Sequence, residues 1–148
     1  MTYHIFAFDM FKNICRNSSR VARMAAGRRA SLLFLRPQHI CSPMLESVCE
    51  KLYKQVEPEI RASISRTRTG DNLNQYLFLD YMYLNGMIIP HPISKKHFSV
   101  GVVSVSKLRK FVTRPTRTMA CINDVQLSEE RYKELNRVLL DSFEQLLP

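Results

Sequence analysis

The sequence predicts a mixed fold, α/β or α+β, rich in helix and forming one domain-sized body or a piece of a larger one. Three observations carry this. Four stretches have apolar residues at helical spacing, each with a start or stop signal. Three short apolar or β-branched runs lie between them. At 148 residues and 45% hydrophobic, the chain has enough apolar side chain for a core.

Residues 8–26 read as an amphipathic helix, with Phe8, Phe11, Ile14 and Cys15 on one side and Gly27 as its stop. Lys12, Arg16, Arg20 and Arg23 recur at helical spacing, followed by Arg28 and Arg29. Such a stripe is a solvated face or a surface for anionic partners. "SLLFL", 31–35, reads as a strand, and "RPQHICSP" as a connection. Ser42 as N-cap and Pro43 at the first helical position open a second helix. Its apolar face is Leu45, Val48, Cys49, Leu52, Tyr53, Val56 and Ile60, and Pro58 blurs its end. A third helix runs from Asp71, a capping residue, to Asn85, closed by Gly86. Tyr76, Phe78, Tyr81 and Tyr83 make it a core helix. "HFSVGVVSV" reads as a strand, "TRPTRT" as a basic turn, and "MACIN" as a short buried strand. Ser128 caps the last helix, with Glu129 and Glu130 at its positive end and Leu127 and Tyr132 placed as a hydrophobic staple. The chain divides into 1–35, 36–90 and 91–148.

Composition excludes several classes. No apolar run is long enough to span a bilayer, and "MTYHIFAFDMFKN" lacks the basic and apolar regions of a secretory signal. Cys15, Cys41, Cys49 and Cys121 form no CxxC pair and read as reduced, mostly buried thiols of a cytoplasmic protein. A net charge of +9 implies anionic partners: phosphates, nucleic acid or the inner membrane surface.

Three places combine polar residues with apolar surroundings. His39 precedes one capped helix. Arg66 and Arg68, in "SRTRTGDN", precede another. Asn123 and Asp124 leave the apolar strand of "CINDV". A helix N-terminus favours phosphate, and an arginine adds a two-pronged contact to its oxygens. A nearby histidine can take a proton from an attacking hydroxyl. Each place also has a bland reading: a hydrogen-bonding turn histidine, a solvated arginine pair, and a turn built on Asn and Asp. His91 and His97 flank a proline-containing loop and read as loop residues.

The order "RPQHICSPMLESVCEKLYKQ", "SRTRTGDNLNQYLFLDYMYLNG", "MACINDVQLSEERY" resembles the third and fourth conserved regions of the Stealth family. "YHIFAFDMFKN" looks like the linker that precedes them in bacterial members. That family comprises sugar-phosphate transferases, including capsule polysaccharide phosphotransferases and the catalytic part of N-acetylglucosamine-1-phosphotransferase. The resemblance covers roughly 36–145, and it implies the helix-rich C-terminal portion of a nucleotide-sugar transferase fold. It implies transfer of a hexose or N-acetylhexosamine 1-phosphate from a nucleotide sugar to a sugar hydroxyl in capsule or surface polysaccharide synthesis. Under it, His39 handles the proton, as base or as nucleophile, and Arg68 handles charge. Arg66, Asn74, Asn123 and Asp124 bind phosphate or substrate, and Asp124 is the candidate ligand for Mg²⁺ or Mn²⁺. The upstream "TWVDG"-like and "YFNDD" motifs of the family are absent from the chain, so the expectation is an incomplete enzyme, inactive alone, whose partners are a missing half or companion chain. The placement expected is cytoplasmic, at or near the inner face of the membrane. The competing reading is a small basic protein that binds nucleic acid or a membrane surface. The burial expected of the aromatic helix argues against nucleic acid.

Overall fold

The computed structural model describes residues 2–6, 9–36, 42–89, 91, 93–123 and 125–147. His39, Asp124, Phe8 and Cys41 lie outside them. The chain forms two compact units, Met1–His91 and Pro92–Pro148. Both helix and strand occur, helix predominating. No described helix is long and apolar enough to cross a membrane.

The first unit begins with β1 (Thr2–His4) and α1 (Met10–Ala25). Asp9 caps α1, accepting from the Lys12 amide at 2.7 Å. At its end Gly27 takes φ +63. The Gly27 and Arg28 amides then donate to the Met24 and Arg23 carbonyls, a left-handed stop that any side chain on Gly27 would strain. β2 (Phe34–Arg36) returns antiparallel to β1.

The next two helices correct the expected one. α2 spans Glu46–Gln55 and α3 spans Glu57–Ala62, with Val56 between them. Ser42 and Pro43 therefore precede α2 without capping it. Pro58 opens α3, where its missing N–H costs nothing. Leu52 and Val56 are buried, whereas Leu45 and Tyr53 stay exposed. α4 spans Tyr76–Leu84. It starts five residues later than Asp71, which is exposed. Asn74 begins the turn instead: its Oδ1 accepts from the Tyr76 amide at 3.0 Å. Gly86 closes α4 at φ +69, and the Met87 amide donates to the Met82 carbonyl. α1 and α4 pack along each other. Val21, Ala22, Leu52, Val56, Leu77 and Tyr81 form one core, and Cys15, Phe34, Tyr76 and Leu79 a second.

The second unit is β3 (Lys95–Ser99), α5 (Val105–Thr113), β4 (Met119–Asn123) and α6 (Glu129–Leu146). β3 and β4 run parallel, with Ser99 opposite Asn123. A parallel pair needs a crossover, and α5 supplies it. The expected strand "HFSVGVVSV" is thus a strand that stops at Ser99 and a helix that begins at Val105. Val105, Leu108, Phe111 and Val112 have helical spacing and join Phe98, Val100 and Leu135 in the core; tertiary packing overrides their β preference. His97 belongs to β3, not to a loop. β4 is half-exposed, not buried. Ser128 caps α6, accepting from the Arg131 amide at 3.3 Å. Tyr132 remains 58% exposed while Leu127 packs into the core, so the two make no staple.

Candidate functional site

A cleft of about 680 Å³ opens in the first unit, a volume suited to a small ligand. Its walls are apolar: Ile14 of α1, Tyr53 of α2, Ile60 of α3, Leu77 and Phe78 of α4, with Ile64 and Leu73 from the connection. Ser63, Ser65, Asn72, Asn74 and one cation, Arg68, complete it.

The segment that carries Arg68 has no regular structure, and a set of amide side chains fastens it. Asn72 Oδ1 accepts from the Thr69 amide at 2.6 Å. Its Nδ2 donates to Ser65 Oγ at 2.8 Å and to the Ser63 carbonyl. One half-buried asparagine therefore ties the two sides of the arginine loop. Asn17 of α1 donates to the Gly70 carbonyl at 2.9 Å. A Cβ on Gly70 would fall 3.1 Å from Asn13 Cβ, so this glycine lets the loop approach α1. Ser18 Oγ and Asn74 face each other, with the Asn74 amide donating to Ser18 Oγ and that hydroxyl in reach of Asn74 Oδ1, both at 3.2 Å.

Arg68 itself makes no ion pair or hydrogen bond among the described residues. Arg68 is exposed, lines the cleft from a fastened loop, and has its donors uncommitted among the described residues. Arg66 is exposed and lines no part of this cleft. Asn74 lines it, but its side chain is engaged by Ser18 and the first turn of α4, which makes it a positioning residue.

Beneath the loop, the α1–α4 seam is polar. Ser18, Ser19 and Asp80 are three of the few buried polar residues. Asp80 is fully buried, and neither carboxylate oxygen has a well-aligned hydrogen bond among the described residues, the Ser19 hydroxyl being the donor beside it. Burial pushes its carboxyl up to about 7, opposed by the nearby Ser19 hydroxyl and the Arg23 charge. Cys15 is pushed up to about 12 by burial first and then by the Asp80 charge, with Arg36 and Arg68 pulling the other way. A thiol so placed is inert at neutral pH. Of the three described cysteines only Cys15 is buried; Cys49 and Cys121 are half-buried, and all three are free.

The other expected site residues divide between regions. Asn123 ends β4 in the second unit and is exposed, its carbonyl accepting from the Val100 amide. The expected grouping of His39 and Asp124 with Arg68 and Asn123 falls partly on residues outside those described. Among the described residues no three of His, Cys, Asp and Glu converge as a metal site. No family model, curated protein or solved structure matches the chain.

Asn72, Asn17, Gly70 and Asp80 were not singled out in the sequence. Asp80 carried a signal: it is the single acid within the apolar run "YLFLDYMYL". Asn72 carried a weaker one, the Asx residue three positions after Thr69.

Proposed function

We propose that this chain carries the phosphate-handling part of a Stealth-type sugar-phosphate transferase, with Arg68 as the group that binds the phosphoryl oxygens. The observation that supports it is the Arg68 guanidinium, uncommitted among the described residues and held at the edge of an apolar cleft by a loop fastened through Asn72 and Asn17. A guanidinium fork matches two phosphate oxygens.

In this reading the acceptor sugar hydroxyl attacks the phosphorus of the sugar 1-phosphate. A bond forms from the acceptor oxygen to phosphorus. The bond from phosphorus to the oxygen shared with the nucleotide breaks, and a nucleoside monophosphate leaves. The hydroxyl proton passes to His39, a role that rests on the resemblance alone. Arg68 offsets charge on the equatorial oxygens, the main work of the protein in phosphoryl transfer. Asp124 is the residue proposed to hold Mg²⁺ or Mn²⁺, which would offset charge on the phosphate oxygens.

The test measures pyrophosphate binding to the chain by calorimetry. Arg68→Ala should weaken it by roughly tenfold or more, since a charge-assisted contact contributes about 1.5–3 kcal/mol. Arg68→Lys should recover only part, because the two-pronged geometry is lost. Equal binding in all three proteins would rule out Arg68 as the phosphate group. In an enzyme that joins this chain to the upstream Stealth motifs, His39→Ala should abolish transfer while nucleotide-sugar binding persists.

A further inference from the structure

Between Asp80 and Asp124 the chain has no acidic residue and seven cations, Lys95, Lys96, Lys107, Arg109, Lys110, Arg114 and Arg117. Five of them fall on α5 and the turn that follows it, and all five are exposed. α5 buries Leu108 and Val112 in the core of the second unit. At 3.6 residues per turn, Lys107, Lys110 and Arg114 then share the side turned away from that core.

Two further observations describe this stripe. None of the five cations has an ion-pair partner among the described residues. Two of the three cations of α6, by contrast, are matched to its own acids, Arg131 to Glu134 at 2.9 Å and Lys133 to Glu129 at 2.6 Å. Lys107 also sits in the first turn of α5, which holds no acid, so it opposes the helix dipole and does not serve helix stability. Just before α5, Val102 stands on the turn after β3 with 88% of its surface exposed. A cationic helix face that follows an exposed apolar turn in the chain fits the interface of an anionic bilayer, where lysine and arginine meet headgroups and the apolar tip enters the acyl boundary.

We propose that α5 and the Val102 turn form a docking surface for an anionic lipid bilayer. Nucleic acid fits less well, because no exposed aromatic ring lies among these cations to stack on bases.

The experiment is co-sedimentation of the full chain with vesicles of phosphatidylcholine alone and with phosphatidylglycerol at about one lipid in three. Binding is expected to the anionic vesicles only, and to be lost at about 0.5 M salt. Lys107→Glu/Lys110→Glu/Arg114→Glu should weaken it by more than about tenfold. Arg16→Glu/Arg20→Glu/Arg29→Glu removes the same charge from exposed positions of the first unit and should change it by less than about twofold; far-UV circular dichroism checks that both fold, and the glutamine versions repeat the comparison. The chain has no tryptophan, so Val102→Trp gives a single fluorescent reporter, whose emission should shift to the blue on anionic vesicles. Equal loss in both triple variants, no binding to anionic vesicles, or an unshifted emission from the Val102→Trp protein would overturn the proposal, as would tighter, stripe-dependent binding of a short DNA duplex.

Discussion

At the scale of single residues, Asp80 and Arg68 are opposites. One is a buried acid beside a serine hydroxyl and an arginine, and the other an exposed cation with no ion pair among the described residues. Asp80 has a consequence for stability. Its folded carboxyl titrates near 7, against 3.8 when unperturbed. Folding therefore favours the protonated form, and the contribution is fully present below about pH 4. It declines as pH rises from about 4 to about 7 and is gone above. A shift of this size corresponds to something on the order of 4 kcal/mol. Asp80→Asn should remove the decline, so the variant gains on the parent as pH rises through that window. Urea midpoints of both proteins at pH 5 and pH 8 measure it; a constant difference between them would mean that the carboxyl does not titrate there. "YLFLDYMYL" displays the acid openly, yet periodicity alone does not show that α1 brings Ser19 and Arg23 to it.

At the scale of elements, sequence patterns found helices better than they found their starts. Gly27 and Gly86 both stand where a stop was expected, because a left-handed residue after a helix is a local requirement met within a few residues. Starts failed where several capping residues compete. Ser42 and Asp71 each have the right chemistry, but α2 begins at Glu46 and α4 at Tyr76, since long-range partners decide: Ser18 holds Asn74, and Asn74 sets the first turn. α5 was hidden because its valines also suit a strand, and only packing against Phe98 and Leu135 selects the helix. The arginine loop offers a test at this scale. Asn72→Ala removes bonds to Thr69, Ser65 and Ser63 together, and a loss of about 1–3 kcal/mol is expected. Because Arg66 and Arg68 are trypsin sites inside the loop, cleavage there should accelerate in the variant under native conditions, while cleavage after the lysines and arginines of α6 stays unchanged. Equal cleavage of the loop would mean that Asn72 does not fasten it.

At the scale of the whole molecule, the mixed class was legible, because stretches with helical apolar spacing alternate with short apolar or β-branched runs along the chain. The division of its cores was less so. The core of Val21, Leu52, Val56 and Leu77 and the core of Cys15, Phe34 and Leu79 are built within Met1–His91. The core of Phe98, Leu108, Val112 and Leu135 is built within Pro92–Pro148. Each core thus draws its side chains from one continuous stretch, so its stability depends on that stretch's own helices and strands. Leu52 and Leu108 are each fully buried, one in each unit. Truncating a buried leucine to alanine costs about 2–5 kcal/mol, through lost transfer free energy and the cavity left behind. Hydrogen exchange followed by mass spectrometry separates the effects. Leu52→Ala should speed exchange in α1, α2 and α4 while the amides of β3, β4 and α6 keep their protection, and Leu108→Ala should do the reverse. Loss of protection across both stretches from either substitution would show one cooperative unit, and the cation stripe of α5 and the cleft of Arg68 would then be parts of a single folding event.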